Sequence, residues 1–513
     1  MIPPWMSSSP RSGKCLLLGL CLLLWAGCQP TTKPSSELLE RRPFEGQQAL
    51  LVVPAGDGLP ELWDAPLREW GVQTGGRPVV REYPRDDQAA LQSVLADGAS
   101  PAVTLLNFDL LADVLADLDL ERLPESSLSA ESGVAWEDLL PGIRDRIGGP
   151  RRKPQMVPLR APLLVCYFRS DLLEQAGLKP PVTWDDYSAL LARVPQWGGG
   201  LPAVEPWSES FRVTWFLSRA VASARHPDNY SVFVDLDSLK PMIDNTAFTT
   251  ALEQARTDVS HLSEEIWQLG PLDCRRLVLE GKACLGIGLE PQGGANGPTA
   301  TPVLRAEGIS LGICALPAAT AVFNPTKGVM EAGGNRGTRR LYRSHLTGWE
   351  GLVACVFKGN VQGSSVPAWN ALSQVAGSDW LSRLPPGLAG LTRESQLADA
   401  SWIIGPELSG TEAPEYLATA AEILRDQGLV LQLPFPRRSE FARRLSGPLM
   451  AALQGQQPAQ SALEQVASDW QSLITEIGPE RFRRSYRQLL GLGVRTDSPP
   501  NPRRNTPGEP PAR

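Results

Sequence analysis

Tryptophan lies beside an acidic residue at several places in the sequence, and at two of these a Pro or Gly, which is typical of loops, directly precedes the tryptophan. Glu205 and Trp207 flank a proline, and Trp349 is followed directly by Glu350. An indole ring packs against flat apolar C–H surfaces, whereas a carboxylate accepts hydrogen bonds from hydroxyl groups. A carbohydrate offers both kinds of surface, so these two segments are candidate walls of a sugar-binding pocket. Packing in a protein core is the alternative interpretation of either tryptophan.

Further polar side chains follow segments that are typical of β-strands. Asp57 follows the first such segment, Asn107 and Asp109 follow the third, and Glu290 follows a later one. In open α/β sheets ligands bind beyond the carboxyl ends of the strands, so these residues are candidate ligand contacts. Arg160 lies in a long extended segment and is a further candidate. A solvated turn for Asp57 and a hinge surface for Arg160 remain open as alternatives.

Other site chemistries lack the residues that they require. The three histidines, His226, His261 and His345, are far apart in the sequence, and there is no Cys-x-x-Cys motif. A zinc or redox centre would need such ligands close together. The glycine-rich runs do not end in the Lys-Ser or Lys-Thr pair of a phosphate-binding loop. We therefore predict no metal and no cofactor.

Five of the eight cysteines lie beyond the first 28 residues. Those at 166, 284, 314 and 355 occur in apolar, strand-like runs, which is typical of small buried hydrophobic residues. A reactive thiol needs an electropositive, accessible environment, which the run around Cys166 does not provide. We predict a protein that is not an enzyme, with a Cys166-dependent enzyme as the alternative. Whether Cys274 and Cys284 form a disulfide stays open.

The N-terminus has the pattern of an export signal. Arg11 and Lys14 precede an apolar run from Leu16 to Ala26, which is the arrangement of a secretory signal peptide. A membrane-spanning helix needs about 20 apolar residues, and this run is shorter. The residues ending in Cys28 resemble a bacterial lipobox, so we predict a signal peptide over 1–27, lipidation of Cys28 and a flexible tether over 28–48. Cleavage and release without a lipid is the alternative.

Length and charge restrict the remaining possibilities. A chain of 513 residues exceeds an average domain of roughly 100–200 residues, which predicts at least two lobes. The formal net charge is −7 and becomes −7 − 2 = −9 without residues 1–27, which contain only two charged side chains, both basic. Because nucleic-acid binding depends on clustered Lys and Arg, we predict no nucleic-acid partner.

The candidate residues are expected to be positioned by alternating strands and helices. Apolar runs predict strands over 49–56, 79–83 and 102–107, and the segments between them, 60–75 and 86–97, have helical spacing of apolar residues. This βαβαβ order predicts a parallel sheet with helices on both faces. The fold class is therefore α/β.

Four segments in order resemble the extracellular solute-binding proteins of ATP-driven importers, in particular the sugar- and maltodextrin-binding group. The longest is VPLRAPLLVCYFRSDLLEQAGLKPPVTWDDYSALLARV over 157–194. The others are LEGKACLGIG over 279–288, GICALP over 312–317, and the stretch from Leu445 to Trp470. The resemblance covers about residues 49–490.

The resemblance implies a type II periplasmic-binding-protein-like fold, with two α/β lobes joined by hinge strands and a ligand cleft between them. Lobe 1 would comprise 49–158 and about 345–400, and lobe 2 would comprise 159–344. Residues 401–495 would form helices that pack mainly on lobe 1, and 496–513 would be a disordered tail.

The same resemblance implies a monomeric, lipid-anchored ABC-importer component, exported to the periplasm or cell surface. It would capture a mono- or oligosaccharide by hinge closure and deliver it to a membrane permease. Both residues of each Trp–acid pair would contact the ligand, together with the strand-end residues and Arg160; these are Asp57, Asn107, Asp109, Arg160, Glu205, Trp207, Glu290, Trp349 and Glu350. A sensor or scaffold of the same fold without a permease is the alternative.

Overall fold

The computed structural model describes residues 42–56, 59–85, 87–97, 101–129, 134–148, 154–291, 303, 305–332, 340–358, 363–376, 390–405, 407–426 and 428–492. Asp57, Cys28, the predicted signal peptide over 1–27 and the predicted tail over 496–513 lie outside these residues. Among the described residues, no helix combines the length and hydrophobicity needed to cross a membrane.

The first lobe begins with the predicted alternation of strands and helices. Its elements are β1 (Gln48–Pro54), α1 (Leu59–Thr74), β2 (Arg77–Tyr83), α2 (Gln88–Ala96) and β3 (Ala102–Asn107). Strand β1 pairs in parallel with both β2 and β3. Every residue of β1 after Gln48 is buried, since strands that are covered on both faces become continuously apolar. The predicted βαβαβ unit is confirmed.

The first lobe continues with α3 (Phe108–Asp117), α4 (Pro141–Ile147) and β4 (Met156–Arg160). The chain then crosses into a second lobe with its own sheet, whose elements are β5 (Leu164–Arg169), α5 (Ser170–Gln175), α6 (Trp184–Ala192), α7 (Val194–Trp197), β6 (Ala203–Val204), α8 (Arg212–Ala224), α9 (Thr246–Val259), α10 (Pro271–Leu279), β7 (Leu285–Leu289) and β8 (Leu311–Ala315). Strand β4 belongs to the first sheet, whereas β5 lies between β7 and β8 in the second, in the order β6-β7-β5-β8. Both β7 and β8 are antiparallel to β5.

The remaining elements return to the first sheet and then form the C-terminal helices. They are β9 (Ala321–Asn324), β10 (Val329–Ala332), β11 (Leu346–Thr347), β12 (Leu352–Cys355), α11 (Val366–Ala376), α12 (Glu412–Arg425), β13 (Val430–Leu431), α13 (Arg438–Leu453), α14 (Ala459–Ile477) and α15 (Pro479–Leu489). Strand β12 inserts between β3 and β4, antiparallel to both, and gives the order β2-β1-β3-β12-β4. Short 3₁₀ turns lie at Glu125–Ser127, Trp136–Asp138, Glu264–Gln268, Ser395–Leu397 and Ala400–Trp402.

The C-terminal helices α13 and α14 pack on the second lobe, whereas the sequence led us to expect packing mainly on the first. Their buried apolar residues share one core cluster with α8 and α9. Phe435 links the two groups, with ring centroids 6.2 Å from Phe233 and 5.0 Å from Phe441, while Phe233 lies 6.1 Å from Phe248 of α9. Helix α15 also contacts α3 of the first lobe. This aromatic cluster, whose members are distant in sequence, determines the packing.

Candidate functional site

A cleft of about 680 Å³ lies between α3 of the first lobe and the beginning of α8 in the second. The crossing segment after β11 and the first turns of α13 complete its lining. The charged and aromatic residues that line it include Asp109, Asp113, Glu209, Trp349, Glu350 and Arg438. Because both lobes contribute side chains, a molecule bound here would contact both lobes at once.

The crossing segment is held through its backbone. Gly348 and Glu350 both have left-handed backbone angles, with φ of 83° and 50°. The carbonyl of Gly348 accepts a hydrogen bond from Arg438 Nη1 at 3.0 Å. The carbonyl of Glu350 accepts one from Arg160 Nε at 3.0 Å. These contacts fix the turn that presents Trp349 and Glu350 to the cleft.

The aromatic surface offered to the cleft is small in this structure. Trp349 is 2 % exposed and its Nε1 donates to the carbonyl of Leu346 at 3.3 Å. Its ring meets Phe211 edge to face, with centroids 5.3 Å apart. The side chain of Glu350, in contrast, is exposed. The second Trp–acid pair therefore places its carboxylate, more than its indole, within reach of a ligand.

The end of β3 leads directly into the cleft. Asn107 is fully buried at the N-terminus of α3, and neither side-chain polar atom has a hydrogen-bond partner among the described residues. Asp109, in the first turn of α3, forms an ion pair with Arg438 at 2.7 Å and is 40 % exposed. A carboxylate at this position is stabilised by the helix dipole.

An acidic stripe on α3, defined as Asp109, Asp113 and Asp117, ties that helix to the C-terminal helices. The three residues are four positions apart and so lie on one helix face. Asp113 accepts a hydrogen bond from the backbone N–H of Arg437 at 2.6 Å, and Asp117 pairs with Arg481 at 2.8 Å. Burial raises the pKa of Asp113, against the lowering effect of the Arg437 N–H. Asp109 and Asp113 line one side of the cleft where α13 begins.

The first Trp–acid pair lies in the core of the second lobe and not on a cleft wall, which corrects the expectation for Glu205 and Trp207. Both are fully buried. The Glu205 carboxylate accepts hydrogen bonds from Tyr187 at 2.8 Å, Trp207 at 2.8 Å, Trp215 at 2.9 Å and Arg219 at 3.0 Å. Burial raises the pKa of Glu205, and the charge of Arg219 opposes that shift. Four donors occupy the carboxylate, so its role here is structural.

Glu290 also lies away from the described cleft. It follows β7, is buried, and accepts a hydrogen bond from the hydroxyl of Tyr416 on α12 at 2.7 Å. Its carbonyl accepts one from Arg275 at 2.9 Å. Burial raises the pKa of Glu290 to about 7, although Tyr416, Arg275 and Arg160 act in the opposite direction. Glu290 is thus a buried acid with a pKa near neutral pH.

Of the sequence-predicted residues, the structure brings Asp109, Trp349 and Glu350 to the cleft, and it hydrogen-bonds Arg160 to the backbone of the crossing segment. Sequence reasoning missed Asp113 and the pair Arg437 and Arg438. Two signals could have identified them: the regular spacing of aspartates on α3 and the two consecutive arginines at the start of α13.

Neither a metal nor a thiol centre is found in the part of the chain that the structure describes. No group of three or more His, Cys, Asp or Glu residues is placed to hold a metal there. Cys274 and Cys284 are free thiols. Cys166 is fully buried, and a hydrogen bond with Cys314 together with burial raises its pKa well above the usual range. A thiol in this state is a poor nucleophile.

Solved structures of solute-binding proteins share this fold. Maltose-bound MalE3 of T. maritima is 17% identical, with a TM-score of 0.55, over 83% of this chain and 99% of that chain. The cyclic alpha-maltosyl-1,6-maltose binding protein of Arthrobacter globiformis is 13% identical, with a TM-score of 0.58, over 84% and 99%. An ABC transporter solute-binding protein of Agrobacterium radiobacter K84, in complex with ribitol, is 14% identical, with a TM-score of 0.57, over 84% and 100%.

These likenesses confirm the predicted fold class, in which two α/β lobes are joined by crossing strands. No family model matches the sequence, and no curated protein matches it.

Proposed function

We propose that this protein binds a carbohydrate in the cleft between its lobes and serves as the substrate-binding component of an ATP-driven importer. The observation that carries the proposal is the cleft itself, which is lined by carboxylates and guanidinium groups from both lobes. Proteins of the same fold, at low sequence identity, are described as binding maltose, a cyclic maltosyl-maltose and ribitol. All three ligands are rich in hydroxyl groups.

The lining provides both kinds of partner that a sugar hydroxyl needs. Asp109, Glu209 and Glu350 supply carboxylate oxygens that accept hydrogen bonds, and Arg438 and Arg443 supply N–H donors. Charge-assisted hydrogen bonds of this kind are stronger than those between neutral groups. The volume of about 680 Å³ lies within the range of about 300–1,000 Å³ typical of small-molecule sites. A mono- or oligosaccharide fits this description.

Capture would proceed by hinge closure. The ligand touches α3 of the first lobe and α8 of the second, so it favours the conformation in which these two helices are close. The hinge is the set of crossing strands, where the turn at Gly348 and Glu350 is fixed by Arg438 and Arg160. The closed form would be the one recognised by the membrane permease. No bond is made or broken, so the protein is not an enzyme.

The chain would act at a membrane surface. An N-terminal run typical of a signal peptide is followed by Cys28 in a sequence that resembles a lipobox. Export followed by lipidation of Cys28 would anchor a monomer to the membrane through the tether over 28–48. The test is to isolate membranes from producing cells and measure the mass of the N-terminal peptide. Loss of membrane association in Cys28→Ala supports the anchor, and unchanged association contradicts it.

Ligand class is tested by thermal shift over saccharides, polyols, amino acids and polyamines. We expect a saturable increase in melting temperature with a saccharide or polyol. Glu350→Gln, an exposed change in the cleft, should weaken that response at least tenfold in apparent Kd. Glu480→Gln is the matched control, because Glu480 is exposed on α15 and does not line the cleft. A response confined to amino acids or polyamines contradicts the proposal.

The importer role is distinguished from a sensor or scaffold role by uptake of the labelled saccharide that the screen identifies. Cells that produce the chain should lose uptake when its gene is deleted and recover it with the wild-type copy. Binding in the purified protein with unchanged uptake in the deletion strain would favour the sensor or scaffold.

A further inference from the structure

A small pocket lies between the two lobes, at the opposite end of α8 from the cleft. Its charged lining residues are Arg146 of α4, in the first lobe, and Arg225, which directly follows α8 in the second. Leu431 of β13 and Tyr486 of α15 also line it. Helix α8 begins at the cleft and has 13 residues, so at about 1.5 Å per residue the pocket lies about 20 Å along α8 from the cleft. The pocket is therefore separate from the proposed carbohydrate site.

Two positive charges line this space without a carboxylate. No acidic residue is among the described residues that line the pocket. Arg146 is half-buried, and its guanidinium forms no hydrogen bond or ion pair with any described residue. Burial and the nearby charge of Arg225 lower the pKa of Arg146 to about 10, so the side chain stays charged at neutral pH. Because a charge buried beside a like charge is unfavourable, an anion in the pocket would stabilise the folded protein.

The helix ends explain the position of each arginine but not their convergence. Arg146 lies in the last turn of α4, and Arg225 is the C-cap of α8, where a positive charge interacts favourably with the helix dipole. Asp426 compensates part of the charge of Arg225, but it does not line the pocket. Two arginines from different lobes nevertheless line one space, which is the arrangement of an anion site.

The two tyrosines of the pocket differ in what they can offer an anion. The hydroxyl of Tyr486 is hydrogen-bonded to that of Ser231 at 2.6 Å. Tyr230 is 63 % exposed and interacts electrostatically with both arginines, so its O–H group is a further donor. The rest of the lining is apolar, and such surroundings strengthen the attraction between an anion and a guanidinium.

The size of the pocket selects the kind of anion. The enclosed space is about 10 Å³, which is room for one water-sized atom or group. A tetrahedral oxyanion such as phosphate is larger than this space. We propose that the pocket is a halide site, which holds one chloride ion between Arg146 and Arg225. Guanidinium N–H groups donate charge-assisted hydrogen bonds to such an ion, and the ion links the lobes because each arginine belongs to a different one.

Chloride binding is tested on the full chain in the absence of any carbohydrate. Potassium gluconate, whose anion is too large for the pocket, is replaced stepwise by potassium chloride at constant ionic strength while the melting temperature is measured. We expect a saturable increase with chloride and with bromide, and no increase with phosphate. Since neither arginine lines the cleft, this result does not depend on whether the chain binds a carbohydrate.

Bromide locates the ion in the wild-type protein. It is close to chloride in size and scatters X-rays anomalously, so crystals soaked in bromide should show an anomalous peak between Arg146 and Arg225. This measurement decides the proposal even if a variant is unstable. Absence of the peak at saturating bromide would overturn it, as would a wild-type melting temperature that does not respond to chloride.

Substitutions separate anion binding from a structural role of the arginine. Arg146→Met keeps a long side chain without the charge and should weaken chloride binding at least tenfold in apparent Kd. Because it also removes the uncompensated charge, its melting temperature in gluconate should equal or exceed that of the wild type. Arg484→Met is the control, since Arg484 is exposed on α15 and does not line the pocket. An unchanged chloride response in Arg146→Met, or a wild-type response to phosphate alone, contradicts the proposal.

Discussion

Two parts of this molecule contain a glutamate beside a tryptophan and use the pair in opposite ways. At Glu205 and Trp207 the indole Nε1 donates to the carboxylate, and both residues are fully buried. At Trp349 and Glu350 the indole Nε1 donates to a backbone carbonyl, and the carboxylate is exposed at the cleft. The same residue types thus form a polar core in one lobe and part of a candidate ligand surface in the crossing segment.

The difference arises from what surrounds each carboxylate. A buried carboxylate must be compensated by hydrogen bonds and opposite charge. Glu205 has four such donors, including Arg219. The backbone at Glu350, held in a left-handed conformation, turns the side chain to the surface. Whether an acid is structural or available to a ligand is thus decided by its surroundings: the donors around Glu205 and the backbone conformation at Glu350.

The largest effect is expected at the core pair. Glu205→Ala removes the acceptor of four donors and leaves the Arg219 guanidinium buried without that partner, so we expect a loss of about 3–5 kcal/mol in the free energy of unfolding. Glu350→Ala, on the exposed side of the comparison, should change it by less than about 0.5 kcal/mol. Urea denaturation of both variants measures this. Similar losses of unfolding free energy in Glu205→Ala and Glu350→Ala would contradict the distinction between a core acid and a cleft acid.

An intermediate effect is expected at Glu290, which is buried like Glu205. Its folded-state pKa of about 7 lies above the usual 4.5, so the folded protein holds a proton that the unfolded chain releases. Stability should therefore fall as pH rises from about 4.5 to about 7, by up to about 1.4 kcal/mol per pH unit.

Glu290→Gln tests this through the difference in unfolding free energy between variant and wild type across that pH range. The comparison cancels the opposite contribution of His345, whose pKa burial lowers to about 4. The Glu290→Gln variant should be more stable than the wild type above pH 7 and equally stable near pH 4.5. A difference that does not vary with pH would contradict the expected titration.

The smallest effect is expected at the outer end of the acidic stripe. Asp117 and Arg481 are 40 % and 38 % exposed, so their coupling should be only about 0.2–1 kcal/mol. A double-mutant cycle with Asp117→Asn and Arg481→Gln measures it, and the value should shrink at high salt. A coupling of several kcal/mol would place this pair with the buried network of Glu205 and not with exposed ion pairs.

The first half of the fold was predictable because its signals are local. Strand β1 is a continuous apolar run, and the helices that cover it have regular apolar spacing, so the parallel sheet followed from the pattern. The position of α13 and α14 was not predictable in this way. It depends on contacts of Phe435 with Phe233 and Phe441, which no local pattern records.

The candidate site was predictable only in part. Asp109, Trp349 and Glu350 were found because they follow strands or glycines at points where the chain turns. Arg438 was missed, since its importance comes from contacts with Asp109 and the Gly348 carbonyl, both distant in sequence. Asp57 lies outside the described residues and stays a prediction.

Strand β12 has a consequence for the order in which the chain can fold. It lies between β3 and β4, so β4 has no neighbour in the first sheet until residues 352–355 have been synthesised. Pairings between segments so distant in sequence form late, because the intervening loop must be closed first. A nascent chain of the first 340 residues would expose an unpaired edge on β3. Truncation before β12 should therefore yield aggregation-prone fragments, and folding should be completed only after most of the chain has emerged.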